Sequence, residues 1–199
     1  MLDATSTERL SLPSGDTVDI PKAQPVFTPW TRPVEVDTYG RKQVLDVNGR
    51  PVFAEIAILM ALMEDGWQGV WIDSYRRKFR TYDGTIHSIE VLPDEAAGLL
   101  RRIYRQVGKR GGAWDVFCWQ EGRVLFAESK RKKRDRIRSS QLMFLEAALK
   151  VGLPMQSFLL VEWDLSETSA PGEPRRSGRG PAGYDAPSKD DRALNGTAG

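Results

Sequence analysis

The chain has 199 residues, with 29 Lys and Arg against 27 Asp and Glu for a formal net charge of +2, and it is 40% hydrophobic and 28% charged; this is the balance of one medium globular domain with tails. A single cysteine, Cys118, and a single histidine, His87, exclude a disulfide framework, zinc fingers, His-rich metal sites and HEXXH peptidases, each of which needs several such residues. The longest uninterrupted apolar run, residues 56–63, is too short to span a bilayer, and the N-terminus lacks a basic start followed by an apolar stretch, so a soluble, cytoplasmic protein with no membrane partner is expected.

Residues 1–45 read as an N-terminal arm, partly disordered, with room for one strand, and the ordered domain is expected at 46–164. Pro51 suits the first turn of a helix, and residues 52–65 are apolar nearly all round before Gly66 stops them, so that helix is buried. Residues 69–74 and 78–81 look extended. Pro93-Asp94-Glu95 opens a second helix that keeps Leu99, Leu100, Ile103 and Val107 on one face until Gly108. Strand-like runs at 113–119 and 123–130 flank Gln120-Glu121-Gly122. A third helix, 138–150, turns Leu142, Leu145 and Leu149 inward, stops at Gly152, and leads past Pro154 into an apolar strand at 156–163. This order is that of an α/β sandwich, a mixed β-sheet flanked by helices. Residues 165–199, rich in Ser, Gly, Pro and Ala, read as a disordered C-terminal tail. Gly178, Gly180 and Gly183 have GxGxxG spacing there, but no strand precedes them and Pro181 interrupts any helix they could open, so no nucleotide fingerprint is assigned.

With Glu121-Gly122 as a two-residue hairpin loop, Asp115 stands opposite Glu128, Phe117 opposite Phe126 and Trp119 opposite Val124, all on one face. Strand alternation adds Lys130 to that face and gives Val116, Cys118, Leu125 and Ala127 to the other. Two carboxylates directly across a pair repel each other, and partly buried they are expensive without a positive charge between them. A divalent cation with Lys130 beside it resolves that cost, and an all-oxygen donor set selects Mg²⁺ or Mn²⁺ over zinc. Register alone equally allows a surface salt-bridge cluster at the sheet end.

Between Ala54 and Met63, Glu55 is the only polar side chain of its helix, which makes it either a buried acid in need of a partner or a partly solvated first-turn acid favoured by the helix dipole. The run Lys130, Arg131, Lys132, Lys133, Arg134, Arg136 and Arg138 begins where the acid pair ends, and seven cations in nine positions make a polyanion the natural partner. Gln141 lies one helical turn before Leu145, at the inward edge of its helix, where an amide either finds a partner or merely covers the edge. Between residues 66 and 93, Trp67, Trp71, Tyr75, Arg76, Arg77, Lys78 and Arg80 read as a stacking and phosphate-contacting surface or as core aromatics beside a solvated basic strand; Trp71 is assigned to the core.

Asp115, Glu128-Ser129-Lys130, Asp135-Arg136-Ile137 and Gln141-Leu142-Met143-Phe144, with Glu55 upstream on a helix, together resemble the PD-(D/E)XK nuclease superfamily and within it most closely the VRR-NUC domain of virus-type replication and repair nucleases. The resemblance is close from Gly112 to about Trp163, with Trp114 where the family usually has proline and Ser129 where an apolar residue is common. It implies a restriction-endonuclease-like core and a nuclease that hydrolyses phosphodiester bonds in nucleic acid, DNA above all, with Mg²⁺ or Mn²⁺, in repair, recombination or defence. It implies that Asp115, Glu128 and the main-chain carbonyl of Ser129 hold the metal, and that Glu55 holds a second ion or a water beside it. Lys130 then orients the attacking water or neutralises charge on the phosphate, and Gln141 positions one of these groups. Arg131, Lys132, Lys133, Arg134, Arg136 and Arg138 are the expected nucleic-acid contacts. The competing reading is a nuclease-fold binding or assembly module without catalysis, against which the complete acid, acid and lysine set counts. Whether the chain forms a homodimer or takes a partner protein stays open.

Overall fold

Eleven strands, three α-helices and a 3₁₀ turn at Met155–Ser157 make up the described residues, 2–34, 42–108 and 111–167, of the computed structural model. In chain order they are β1 (Ser6–Ser11), β2 (Thr17–Ala23), β3 (Val26–Pro29), β4 (Leu45–Val47), β5 (Arg50–Val52), α1 (Ala54–Glu64), β6 (Gln68–Asp73), β7 (Lys78–Tyr82), β8 (Ile86–Ile89), α2 (Asp94–Val107), β9 (Val116–Gln120), β10 (Arg123–Arg131), α3 (Ser139–Lys150) and β11 (Phe158–Leu165). The strands form a curled mixed sheet in the order β5-β4-β3-β11-β10-β9-β6-β7-β8, with β2 also on β11 and β1 on β2. β10 and β11 run parallel, which demands a long crossover, and α3 supplies it. Among the described residues no helix is long and apolar enough to cross a membrane.

Alternation along the central strands builds a core on each face. Phe117, Phe126, Phe158 and Leu160 point towards α2 and α3, where Phe144 and Leu145 meet them. Val116, Cys118, Ala127 and Val161 point the other way, onto Ile56 and Leu59 of α1. The expectation that α1 is buried holds, since Ala54 to Leu59 and Leu62 are all buried. Glu121 and Gly122 both adopt positive φ, +48° and +77°, the signature of a two-residue type I′ turn. The register is therefore the expected one, with Phe126 opposite Phe117 and Val124 opposite Trp119.

Two readings of the N-terminal half are corrected. Pro51 does not start a helix: Asn48 and Gly49, at φ +52° and +78°, make a second such turn, and Pro51 lies in the edge strand β5 opposite Asp46. An edge position leaves its missing N–H harmless. The ordered domain does not begin at 46 either, because β1 to β3 belong to the same sheet, β2 through Leu160 opposite Lys22 and β3 through Asp164 opposite Val26. Ile20 and Ala23 enter the core from this arm, while charged pairs such as Arg9 with Asp19 (3.0 Å) cover its outer side. Ile20→Ala is expected to lower the urea unfolding free energy by about 2–5 kcal/mol; a loose arm would give no change. β11 runs to Leu165, and the remainder of the expected tail from 168 on, including the GxGxxG glycines, lies outside the described residues, as do positions 35–41 of the arm.

Candidate active site

The β9–β10 ladder ends at Val116 opposite Ala127, one step before the two acids would face each other. There the backbone bonds are replaced by bonds to side chains. The Asp115 N–H donates to Glu128 Oε2 (3.2 Å), and the Ser129 N–H donates to Asp115 Oδ2 (3.1 Å). The Asp115 carbonyl meanwhile accepts the Ile72 N–H of β6 (2.7 Å). Glu128 thus satisfies the Asp115 main chain and Asp115 that of Ser129, the strands part at this point, and both carboxyl groups are held at the opening. Asp115 therefore lies just outside β9, whereas the sequence reading put it inside a strand at 113–119.

Lys130, two residues beyond Glu128 on the same face, donates to Glu128 Oε1, and Gln141 Nε2 donates to the same oxygen. Gln141 is fixed in turn by its Oε1, which accepts the Arg138 N–H at the start of α3 (2.9 Å). α3 approaches closely because Gly112, at φ +76°, passes its first turn; a Cβ there would sit 2.2 Å from the Ser140 carbonyl oxygen. Trp114 follows, fully buried, its indole N–H on the Gln141 carbonyl (3.4 Å). Glu55 enters from the first turn of α1 and pairs with Lys42, whose ammonium also lies 4.8 Å from the Trp71 ring centroid. Glu55 is thus a buried acid with a partner, and the partner is a lysine that the sequence reading left in the arm.

Glu128 is completely buried, Lys130, Gln141 and Glu55 are each 9% exposed, and Asp115 is partly accessible. Desolvation pushes the Asp115 carboxyl well above the ordinary carboxylate range, and the charges of Glu128 and Glu55 push it further than Lys130 and Lys42 pull it back. Desolvation likewise raises Glu128, against the opposing pull of Lys130. Three carboxyl groups share two ammonium groups, so the cluster favours taking up a proton or a cation.

Among the described residues no three His, Cys, Asp or Glu side chains gather into an all-protein metal cage. Mg²⁺ does not need one, because it is commonly held by one or two carboxylates together with water and phosphate oxygens. The donors present therefore fit Mg²⁺ or Mn²⁺, and softer ligands lie elsewhere. Cys118 is buried in the α1-side core with its thiol pushed up to about 12 by burial, and His87 pairs with Asp83 beyond β7.

The acid pair lies in a cleft of about 1230 Å³, larger than the roughly 300–1,000 Å³ of small-molecule pockets. Arg131, Arg134, Arg136 and Arg138 line it, whereas Lys132 and Lys133 of the same loop do not. The loop is shaped by Asp135 Oδ2, which accepts the Arg131 N–H (3.0 Å), and by Lys133 at φ +60°. Trp163, which the sequence reading did not single out, lines the cleft, donates its indole N–H to Ser129 Oγ (3.0 Å) and lies 5.5 Å from the Arg131 guanidinium. On β6, Trp71 is buried as expected, and Asp73 accepts Arg80 Nε (2.9 Å) in a buried ion pair that no local sequence pattern announces.

No protein-family model matches the chain, and no curated protein matches it either. The functional reading therefore stands on the residues of the site.

Proposed function

We propose that the chain is a Mg²⁺- or Mn²⁺-dependent nuclease of the PD-(D/E)XK type, most like a VRR-NUC domain, that hydrolyses phosphodiester bonds in DNA. The observation that carries this reading is the convergence of Asp115, Glu128, Lys130 and Gln141 where the β9–β10 ladder parts, at the floor of an arginine-lined cleft. A mixed sheet with α1 on one face and α2 and α3 on the other supports a restriction-endonuclease-like core. A cytoplasmic location goes with the same reading.

Asp115, Glu128 and the Ser129 main-chain carbonyl would hold the metal, with Glu55 nearby for a second ion or a water. The ion supplies Lewis-acid polarisation of the scissile phosphate and a more acidic water. The protein's own groups do the rest. Two donors on one Glu128 oxygen fix the plane of that carboxylate, so its geometry is set before substrate arrives. Lys130 orients the attacking water or neutralises charge that grows on the phosphate, in surroundings where a buried ammonium acts far more strongly than in water. The cleft arginines hold flanking phosphates.

The test is incubation of the purified protein with single-stranded, nicked, flapped, branched and plain duplex DNA in Mg²⁺, Mn²⁺, Ca²⁺ or chelator. Cleavage in Mg²⁺ or Mn²⁺ and none in chelator supports the reading; binding without cleavage in any metal returns the inactive binding module. The arginines have a separate signature. Alanine at Arg131, Arg134, Arg136 and Arg138 together is expected to weaken duplex binding uniformly across sequences and to make the log–log salt slope shallower by about 3 to 4, while alanine at Lys132 and Lys133 changes it less. Fluorescence anisotropy across a salt series measures both.

A further inference from the structure

The hairpin between β6 and β7 presents a side chain that hydrolysis does not use. Tyr75 is 93% exposed, more than Val91, Val26 or Met63, the other large hydrophobic side chains at the surface among the described residues. Left in water, the ring contributes nothing to the core. The turn that carries it is nevertheless firmly built. Asp73, itself buried, accepts the Arg76 N–H on Oδ1 (3.0 Å) and Arg80 Nε on Oδ2 (2.9 Å), and Arg77 closes the turn at φ +54°. Such a turn fixes the backbone that carries the ring before a ligand arrives, which lowers the entropic cost of gripping one.

Its position is equally specific. Ile72 is bonded directly to Asp115, and Tyr75 follows three residues later, a chain reach of at most about 10 Å. Tyr75 and Arg76 line the same cleft as the acid pair. Exposed Arg76, Arg77 and Lys78 follow Tyr75 directly and make this turn strongly positive, which disfavours a cationic or wholly apolar partner and suits a polyanion. A flat aromatic ring on a cationic turn, in an arginine-lined cleft, matches a nucleobase, whose face stacks on aromatics whatever its identity. Bases inside a duplex are already stacked, so the base that reaches Tyr75 must be unpaired.

We propose that Tyr75 is a base-stacking platform and that the substrate is DNA with an unpaired stretch beside the bond to be cut. The position of that bond rests on the nuclease reading above; the platform itself does not.

The experiment measures equilibrium binding, in Ca²⁺, of a single-stranded oligothymidylate carrying one 2-aminopurine and of a blunt duplex, by wild type, Tyr75→Ala, Tyr75→Phe and Tyr75→Trp. Wild-type cleavage in Mg²⁺ is followed in parallel. Tyr75→Ala is expected to weaken single-strand binding about 5- to 150-fold and to lose the 2-aminopurine quench, with duplex affinity unchanged. Tyr75→Phe and Tyr75→Trp should keep both. Wild-type single-strand affinity in Tyr75→Ala overturns the proposal, and so does an equal loss on single strand and duplex. If Tyr75-dependent stacking is found in a protein that cuts no DNA, the platform stands and the nuclease reading falls; if wild type cuts DNA but stacking is absent, the platform alone falls.

Discussion

Replacing Lys130 by methionine is expected to slow single-turnover DNA cleavage by about 10²- to 10³-fold or more while the protein stays folded and keeps most of its affinity for DNA. Lys130 lines the cleft with its ammonium on Glu128, so its loss removes a charge beside the proposed position of the reacting phosphate and none from the arginine loop proposed to hold the flanking backbone. Methionine is the informative substitution because the lysine is buried. Alanine would leave a cavity in addition to an unpaired carboxylate, and removing one partner of a buried pair can cost about 3–5 kcal/mol. Methionine fills the stem's volume, and Glu128, already raised by burial, can take a proton in place of its lost partner. A thermal melt run beside the kinetics separates unfolding from lost chemistry. Cleavage at the wild-type rate would remove Lys130 from the mechanism.

Asp115→Asn is expected to abolish cleavage and at the same time to stabilise the metal-free protein near neutral pH. The sign follows from linkage. Asp115 has a folded-state pKa above its unfolded value, so between those two pH values the native state binds a proton that the unfolded chain has lost. Stability is therefore fullest below the ordinary carboxylate range and falls as pH rises towards the raised folded value. Glu128 is raised in the same direction. An amide at 115 cannot ionise, and its oxygen can still accept the Ser129 N–H, so the variant keeps the local bonds without the repulsion. Added Mg²⁺ should raise the melting temperature of wild type increasingly with pH, the stabilisation reaching about 2.7 kcal/mol at a hundredfold excess over the dissociation constant. The variant should show little of this gain. Melting curves between pH 5 and 8, with and without Mg²⁺, would contradict this picture if metal-free wild type were the more stable of the two or if Mg²⁺ stabilised both alike.

The parts of the fold that local chemistry dictates were legible in the sequence. Glu121-Gly122 enforces a two-residue turn, and that turn alone sets Phe117 against Phe126 and brings Asp115 and Glu128 to the same end of one face. Pro93, the acids that follow it and Gly108 bound α2 at Asp94–Val107 as expected. The parts that depend on distant partners were not legible. β2 and β3 join the central sheet through β11, more than a hundred residues away, and the charged outer side of β1 and β2 hides the buried Ile20 and Ala23. Asn48-Gly49 is a local signal of the same kind as Glu121-Gly122, but Pro51 beside it suggested a helix and masked the hairpin. At the site, a partner for Glu55 could be required from burial but not identified, because Lys42 reaches it only once the arm has folded back. The parting of the ladder around the acids was likewise out of reach, since it depends on Asp115 exchanging its β10 partner for Ile72 of β6.

The central claim is that the parted strands hold one divalent ion between Asp115 and Glu128. Anomalous diffraction at the manganese edge, from crystals of the wild-type protein grown in saturating Mn²⁺, measures this directly. The account predicts a strong peak in contact with a carboxylate oxygen of each residue, with Glu128 still held by Lys130 and Gln141. No manganese between the two carboxyl groups, or manganese only elsewhere on the protein, would contradict it.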